Sequence, residues 1–149
     1  MKRIRVHLAI SLLVLSPQLA YADSRIEKAK ALFTRYVELE KEFDPSVADL
    51  YSDDAVIRNT RRYPNAQVRT IEIPADKYKS LIRSAMPLAK AVKDLNTYSK
   101  IRYSIEGENV RIQASRYSHR KKYTSPISIL VGNKTGEWLI LEEISESQP

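Results

Sequence analysis

Residues 35–57 read RYVELEKEFDPSVADLYSDDAVI, and the way this stretch breaks decides the architecture. Ile26, Ala29, Phe33, Tyr36, Val37 and Phe43 recur at helical spacing and place one apolar stripe on a strongly charged rod. Asp44-Pro45 stops that helix and opens a short second one, with Asp44 as N-cap and Pro45 at the first helical position. Beyond Asp53 and Asp54 the pattern turns extended. AVIRNTRRY reads as a strand, Pro64-Asn65 as a turn, and QVRTIEI as the hairpin partner.

Upstream, Ser24 and Glu27 form a capping-box pattern, so the first helix is expected to begin there. Downstream, Pro74 and Asp76 open a helix whose Tyr78, Leu81, Ile82, Ala85, Ala89 and Val92 share one face, with Pro87 expected to bend or split it. From Asn96 onward the chain is strand-like, with turns at Gly107-Glu108-Asn109 and Asn133 to Gly136. Residues 109–132 would span roughly 80 Å as one strand, so they must fold back, near Ser118-His119. Early helices and late antiparallel strands give an α+β class in which helices cover one face of a curved sheet.

The N-terminus opens MKRIRVHLAISLLVLSPQLAYAD: three cations, an apolar run from Val6 to Leu15, then Ala20-Tyr21-Ala22. This is the layout of a secretory signal peptide cut after Ala22, and the run is too short to span a bilayer. The expected organisation is a signal over 1–22, one domain over 23–145 and a disordered tail over 146–149, in a periplasmic or secreted protein. Beyond the cut, 22 basic residues face 18 acidic ones, a mild formal charge of +4. No transmembrane segment is expected there.

There is no cysteine, which excludes disulfides, lipid attachment and thiol chemistry. His119 is the one histidine after the signal, so no metal site of the His or Cys type is expected. Three glycines make no phosphate-cradling loop, and no nucleotide or other cofactor is expected. The basic clusters Arg58 to Arg62 and Arg116 to Tyr123 read first as solvated strand faces. If functional, Arg61, Arg62 and Lys121 would contact an anionic molecule or envelope partner, since a mildly basic exported chain meets little nucleic acid.

The element order, headed by the quoted stretch, resembles the nuclear transport factor 2-like superfamily, also called SnoaL-like. The resemblance implies a cone-shaped pocket between helices and the concave face of a mostly antiparallel sheet. In relatives that pocket serves isomerases, dehydratases, cyclases, hydrolases and plain binding domains. Set against the ketosteroid isomerases, Arg35-Tyr36-Val37 matches the stretch with the oxyanion-hole tyrosine. Asn59 stands where they carry the catalytic aspartate, and Ser128 follows Pro126-Ile127 where they carry a protonated aspartate. Asn59 cannot accept a proton, so no catalytic residue of that type is expected.

By the same match Asp53 and Asp54 are structural, bonding local backbone amides at a turn. A pocket of Tyr36, Asn59, Ser128, Leu130 and Leu141 follows, suited to a small hydrophobic or anionic molecule. Ile127, Ile129, Val131, Trp138, Ile140 and Ile144 would then face outward, a surface that predicts a homodimer. The leading expectation is a non-catalytic binding domain. The rivals are a lyase or isomerase using Tyr36, with Asp53 or Asp54 as base, and an envelope interaction module using the basic strands.

Overall fold

The computed structural model describes residues 17–148, so most of the expected signal segment, and Pro149, lie outside the described residues. Helix α1 spans Pro17–Glu42, a short 3-10 helix Pro45–Leu50, strand β1 Tyr51–Arg62, and strand β2 Val68–Ile73. Helix α2 then spans Ala75–Val92, followed by β3 (Asn96–Glu106), β4 (Asn109–Ser118), β5 (Tyr123–Lys134) and β6 (Glu137–Ser147). The six strands form one sheet in the order β2-β1-β6-β5-β4-β3. Only the β1–β6 pair among them is parallel.

The local signals act as physical chemistry requires. Asp44 caps the 3-10 helix by accepting from the Ser46 N–H at 2.8 Å, with Pro45 just inside. Phe43 takes a left-handed conformation (φ 57°), and the N–H groups of Phe43 and Asp44 donate to the carbonyls of Glu40 and Leu39 to close α1. The chain folds back after Ser118, as its length demanded. Irregularities between Tyr51 and Val56, between Ser99 and Arg102, and between Leu130 and Val131 bend the sheet into a curve. Helix α1 fills the concave side against β3, β4 and β6, and α2 packs on the 3-10 helix and β1.

Several expectations are corrected. Helix α1 runs through Ser24, which therefore caps nothing in this chain. Pro87 does not split α2, which continues through it. Leu81 and Val92 do not share α2's buried face: they are 53% and 49% exposed. Glu146 and Ser147 belong to β6 rather than to a tail.

The largest correction concerns which way the sheet faces. Ile127, Ile129, Val131 and Ile140 are all buried in the core with Phe33, Tyr36 and Leu39 of α1. Trp138 packs against that core as well, and of the six residues expected outside, Ile144 is the exposed one. Because strand side chains alternate, Ser128 and Leu130 lie on the convex face. Leu141, at the irregularity in the β5–β6 pairing, joins them there: a Cβ on Gly132 would come within 2.8 Å of its Cδ1.

Candidate functional site

The concave face carries a polar interior. Glu143, on β6 and 1% exposed, accepts a hydrogen bond from the Tyr51 hydroxyl and another, at 3.1 Å, from the Tyr78 hydroxyl. Glu40, one helical turn after Tyr36 on α1, accepts from the Tyr98 hydroxyl at 2.5 Å and from the Asn96 amide at 3.0 Å. Rings knit the cluster together, with Tyr51 and Tyr78 edge to face at 5.4 Å and Tyr36 and Tyr98 at 6.1 Å. The space left inside is about 90 Å³, lined by Tyr36, Glu40, Tyr51, Tyr78, Met86 and Arg116 among others. The cone's apex is thus filled mostly by its own tyrosines.

Burial, reinforced by the neighbouring acids, pushes the phenols of Tyr36, Tyr51, Tyr78 and Tyr98 well above their ordinary value, so they stay protonated donors. Burial also raises the Glu40 carboxyl, against the opposing pull of Tyr98 and Asn96. Burial alone would lower the pKa of Arg116, but Tyr36, Tyr98, Glu143 and Glu40 around it hold it above the ordinary guanidinium value. Arg116 donates to the Glu146 backbone carbonyl at 2.9 Å, and among the described residues no carboxylate pairs with it.

The sign for Glu40 is fixed by its raised folded-state pKa. Its contribution is fully present below the unfolded value and is lost as pH rises through the folded one. Relative to the native chain, Glu40→Gln is therefore expected to become progressively more stable from about pH 4.5 upward, read as melting temperatures across a pH series. A constant difference between the two would show that Glu40 is not desolvated.

Outside the apex lies a wider mouth of about 610 Å³, which shares Glu40, Met86 and Arg116 with the inner space. Arg61, Lys121 and Arg116 border it on the sheet side, and Phe43, Ala85, Met86 and Ala89 give it an apolar wall. Of the residues expected to contact anions, Arg61 and Lys121 meet at this mouth. Arg62 points elsewhere and is held by both carboxylate oxygens of Glu146, at 2.6 and 2.9 Å.

The expected pocket residues divide. Tyr36 is in the cone. Asn59 is half-buried, its amide donating to Ser145 at 3.0 Å and accepting from Ser147 at 2.8 Å, a tie between β1 and β6. Ser128, Leu130 and Leu141 are on the convex face, where the Ser128 hydroxyl sits 3.5 Å from Arg111. Asp53 and Asp54 lie in β1 rather than in a turn. Their side chains are exposed and pair with Lys79 and Lys134, each at 2.7 Å. The hydrogen bond from Lys134 holds Asp54 below its ordinary range. Neither acid lines the cone cavities described above.

The sequence reading missed Glu40, Glu143, Arg116, Tyr51, Tyr78 and Tyr98. The spacing of Tyr36 and Glu40, four apart on α1, was the available signal.

The chain matches no family model and no curated protein. Its architecture does match solved structures. An NTF2-like protein of unknown function from Pseudomonas putida KT2440 superposes with a TM-score of 0.64 at 11% identity, over 84% of this chain and 87% of that one. The fold is nuclear transport factor 2-like. Within that NTF2-like group, a protein provisionally assigned as a scytalone dehydratase, from Novosphingobium aromaticivorans DSM 12444, aligns at TM-score 0.59 and 15% identity, over 85% and 86% of the chains. A de novo designed protein with a curved β-sheet aligns at 0.54 and 18% identity, over 82% of this chain and 99% of that one. At these identities the likeness extends to fold and not to activity.

Among the described residues no group of three His, Cys, Asp or Glu side chains could hold a metal ion, and no helix is long and apolar enough to cross a membrane.

Proposed function

We propose that this NTF2-like chain is an exported binding domain that holds a small, partly apolar anion in the mouth of its cone without turning it over. The observation that carries the reading is Arg116: a guanidinium inside the cone that Glu40 and Glu143 favour from a distance but that forms no ion pair among the described residues, beside Arg61 and Lys121 and facing an apolar wall. A forked cation over an apolar surface suits a carboxylate on a hydrocarbon or aromatic body. The absence of turnover is supported by the two acids of the cone, since every carboxylate oxygen of Glu40 and Glu143 already accepts a hydrogen bond. Octanoate is expected to raise the melting temperature by mass action while octanol does not. Equal shifts with both, or none with octanoate, would remove the anion from the reading.

Export is supported by the basic, apolar and small-residue pattern before Asp23. A mature N-terminus at Asp23, read by intact mass, is the expected result; recovery of protein still starting at Met1 would argue against it. Self-association through the convex face rests on Leu130, Leu139, Leu141 and the exposed Ile144 in place of the residues first expected.

One observation favours a second reading. Glu40 lines both the mouth and the inner space with its pKa raised by burial, which suits the base of a lyase. That reading requires product to form from a bound compound and to stop forming in Glu40→Gln.

A further inference from the structure

Helix α2 exposes three large apolar side chains: Leu81 (53%), Leu88 (70%) and Val92 (49%). At about 100° per residue they fall within roughly 40° of one line along the helix. Ala85, on the same side, lines the mouth, so the stripe borders the opening of the cone. A stripe of this kind on an exposed helix calls for a covering surface.

Cations are gathered beside it by the fold. The turn after β4 docks on the end of α2: the His119 N–H donates to the Leu95 carbonyl at 2.9 Å, and Arg120 lies 3.9 Å from Asp94. This contact brings Arg120, Lys121 and Lys122 next to Lys93, with Arg61 and Lys121 on the mouth itself. Lys93 and Lys122 are exposed, and among the described residues neither has an ion-pair partner.

Both lysines, like Lys100 in β3, sit in left-handed backbone. Lys93 caps α2 in the left-handed region (φ 51°), and Lys122 takes the same region (φ 60°) in its turn. Glycine is the comfortable residue at such positions. At both, the sequence instead carries a long cation, at a cost in backbone strain.

We propose that this rim, the Leu81, Leu88 and Val92 stripe with Lys93, Arg120, Lys121 and Lys122, docks on an anionic lipid bilayer. Apolar side chains entering the headgroup boundary, with cations over lipid phosphates, are the two contacts an interfacial helix makes. A second copy of this chain fits poorly, because the same cations would then face one another across the contact. Docked this way, the mouth of the cone opens toward the lipid.

The test is co-sedimentation of the soluble protein with vesicles of phosphatidylglycerol and phosphatidylethanolamine, against vesicles of phosphatidylcholine alone. Binding to the anionic vesicles, weakened by salt, is expected. The double variant Lys93→Gly and Lys122→Gly should lose about 30-fold in binding. Its melting temperature should stay level or rise, because glycine suits the left-handed backbone. That readout separates lost docking from lost folding. Leu88→Gln, a neutral change for the helix, should lose about ten-fold.

Binding to neither vesicle, equal binding to both, or undiminished binding by the variants would overturn the proposal. So would a dimer in solution that Leu88→Gln dissociates, since the stripe would then belong to a second copy. Because no small anion enters this experiment, its outcome is separate from that of the ligand reading.

Discussion

Tyr51→Phe destabilises the fold by about 2–4 kcal/mol in denaturant unfolding, a large effect for the loss of one oxygen atom. The reason is the company that oxygen keeps. Glu143 is 1% exposed, and its two carboxylate oxygens accept from Tyr51 and Tyr78. Phenylalanine removes one donor and fills nearly the same volume, so packing stays while a buried acceptor is left without its partner. Combining Tyr51→Phe with Glu143→Gln is expected to recover much of the loss, since a neutral amide is cheaper to bury than a carboxylate short of donors. A loss below about 0.5 kcal/mol for Tyr51→Phe would place the Tyr51–Glu143 pair in contact with water and contradict the closed apex.

Arg116→Met separates binding from folding. Affinity for an amphipathic carboxylate such as octanoate is expected to fall about 100-fold, the scale for truncating one partner of a partly buried charge pair. The fold should lose less than it does in Tyr51→Phe. The guanidinium's bond to the Glu146 carbonyl is lost, but so is the cost of keeping a cation inside the cone. Methionine follows the same irregular path as the arginine stem. Unchanged affinity in this variant would move the anion out of the cone, to Arg61 and Lys121 or to another surface.

Much of the architecture was legible because its signals are local. Asp44-Pro45 ends one helix and starts the next whatever surrounds it, and a segment of 24 residues cannot be one strand in a small domain. The faces of the sheet were not legible from β5, where Ile127, Ile129, Leu130 and Val131 make both sides apolar. The isomerase match turns Ser128 inward, and a one-residue shift of that kind exchanges every side chain. Strand β4 held the better evidence: Val110, Ile112 and Ala114 alternate with Arg111 and Gln113, and Ile112 pairs with Ile129.

The candidate site was less legible for a different reason. Glu40 and Glu143 look like surface residues, because isolated carboxylates belong in water. They become tenable inside only when Tyr98 and Asn96 of β3, Tyr51 of β1 and Tyr78 of α2 converge on them from three separate elements. No local pattern announces that convergence. The nine tyrosines were the hint, being an unusual supply of side chains that are apolar along the ring and donate at the tip.

The measurement that bears most directly on the central claim is native mass spectrometry of the protein recovered from its cell of origin, followed by denaturing extraction. A stoichiometric, partly apolar anion that stays bound to the native chain and is absent from Arg116→Met is the predicted result. Native protein that carries no small molecule, in a preparation where octanoate also fails to bind, would contradict it.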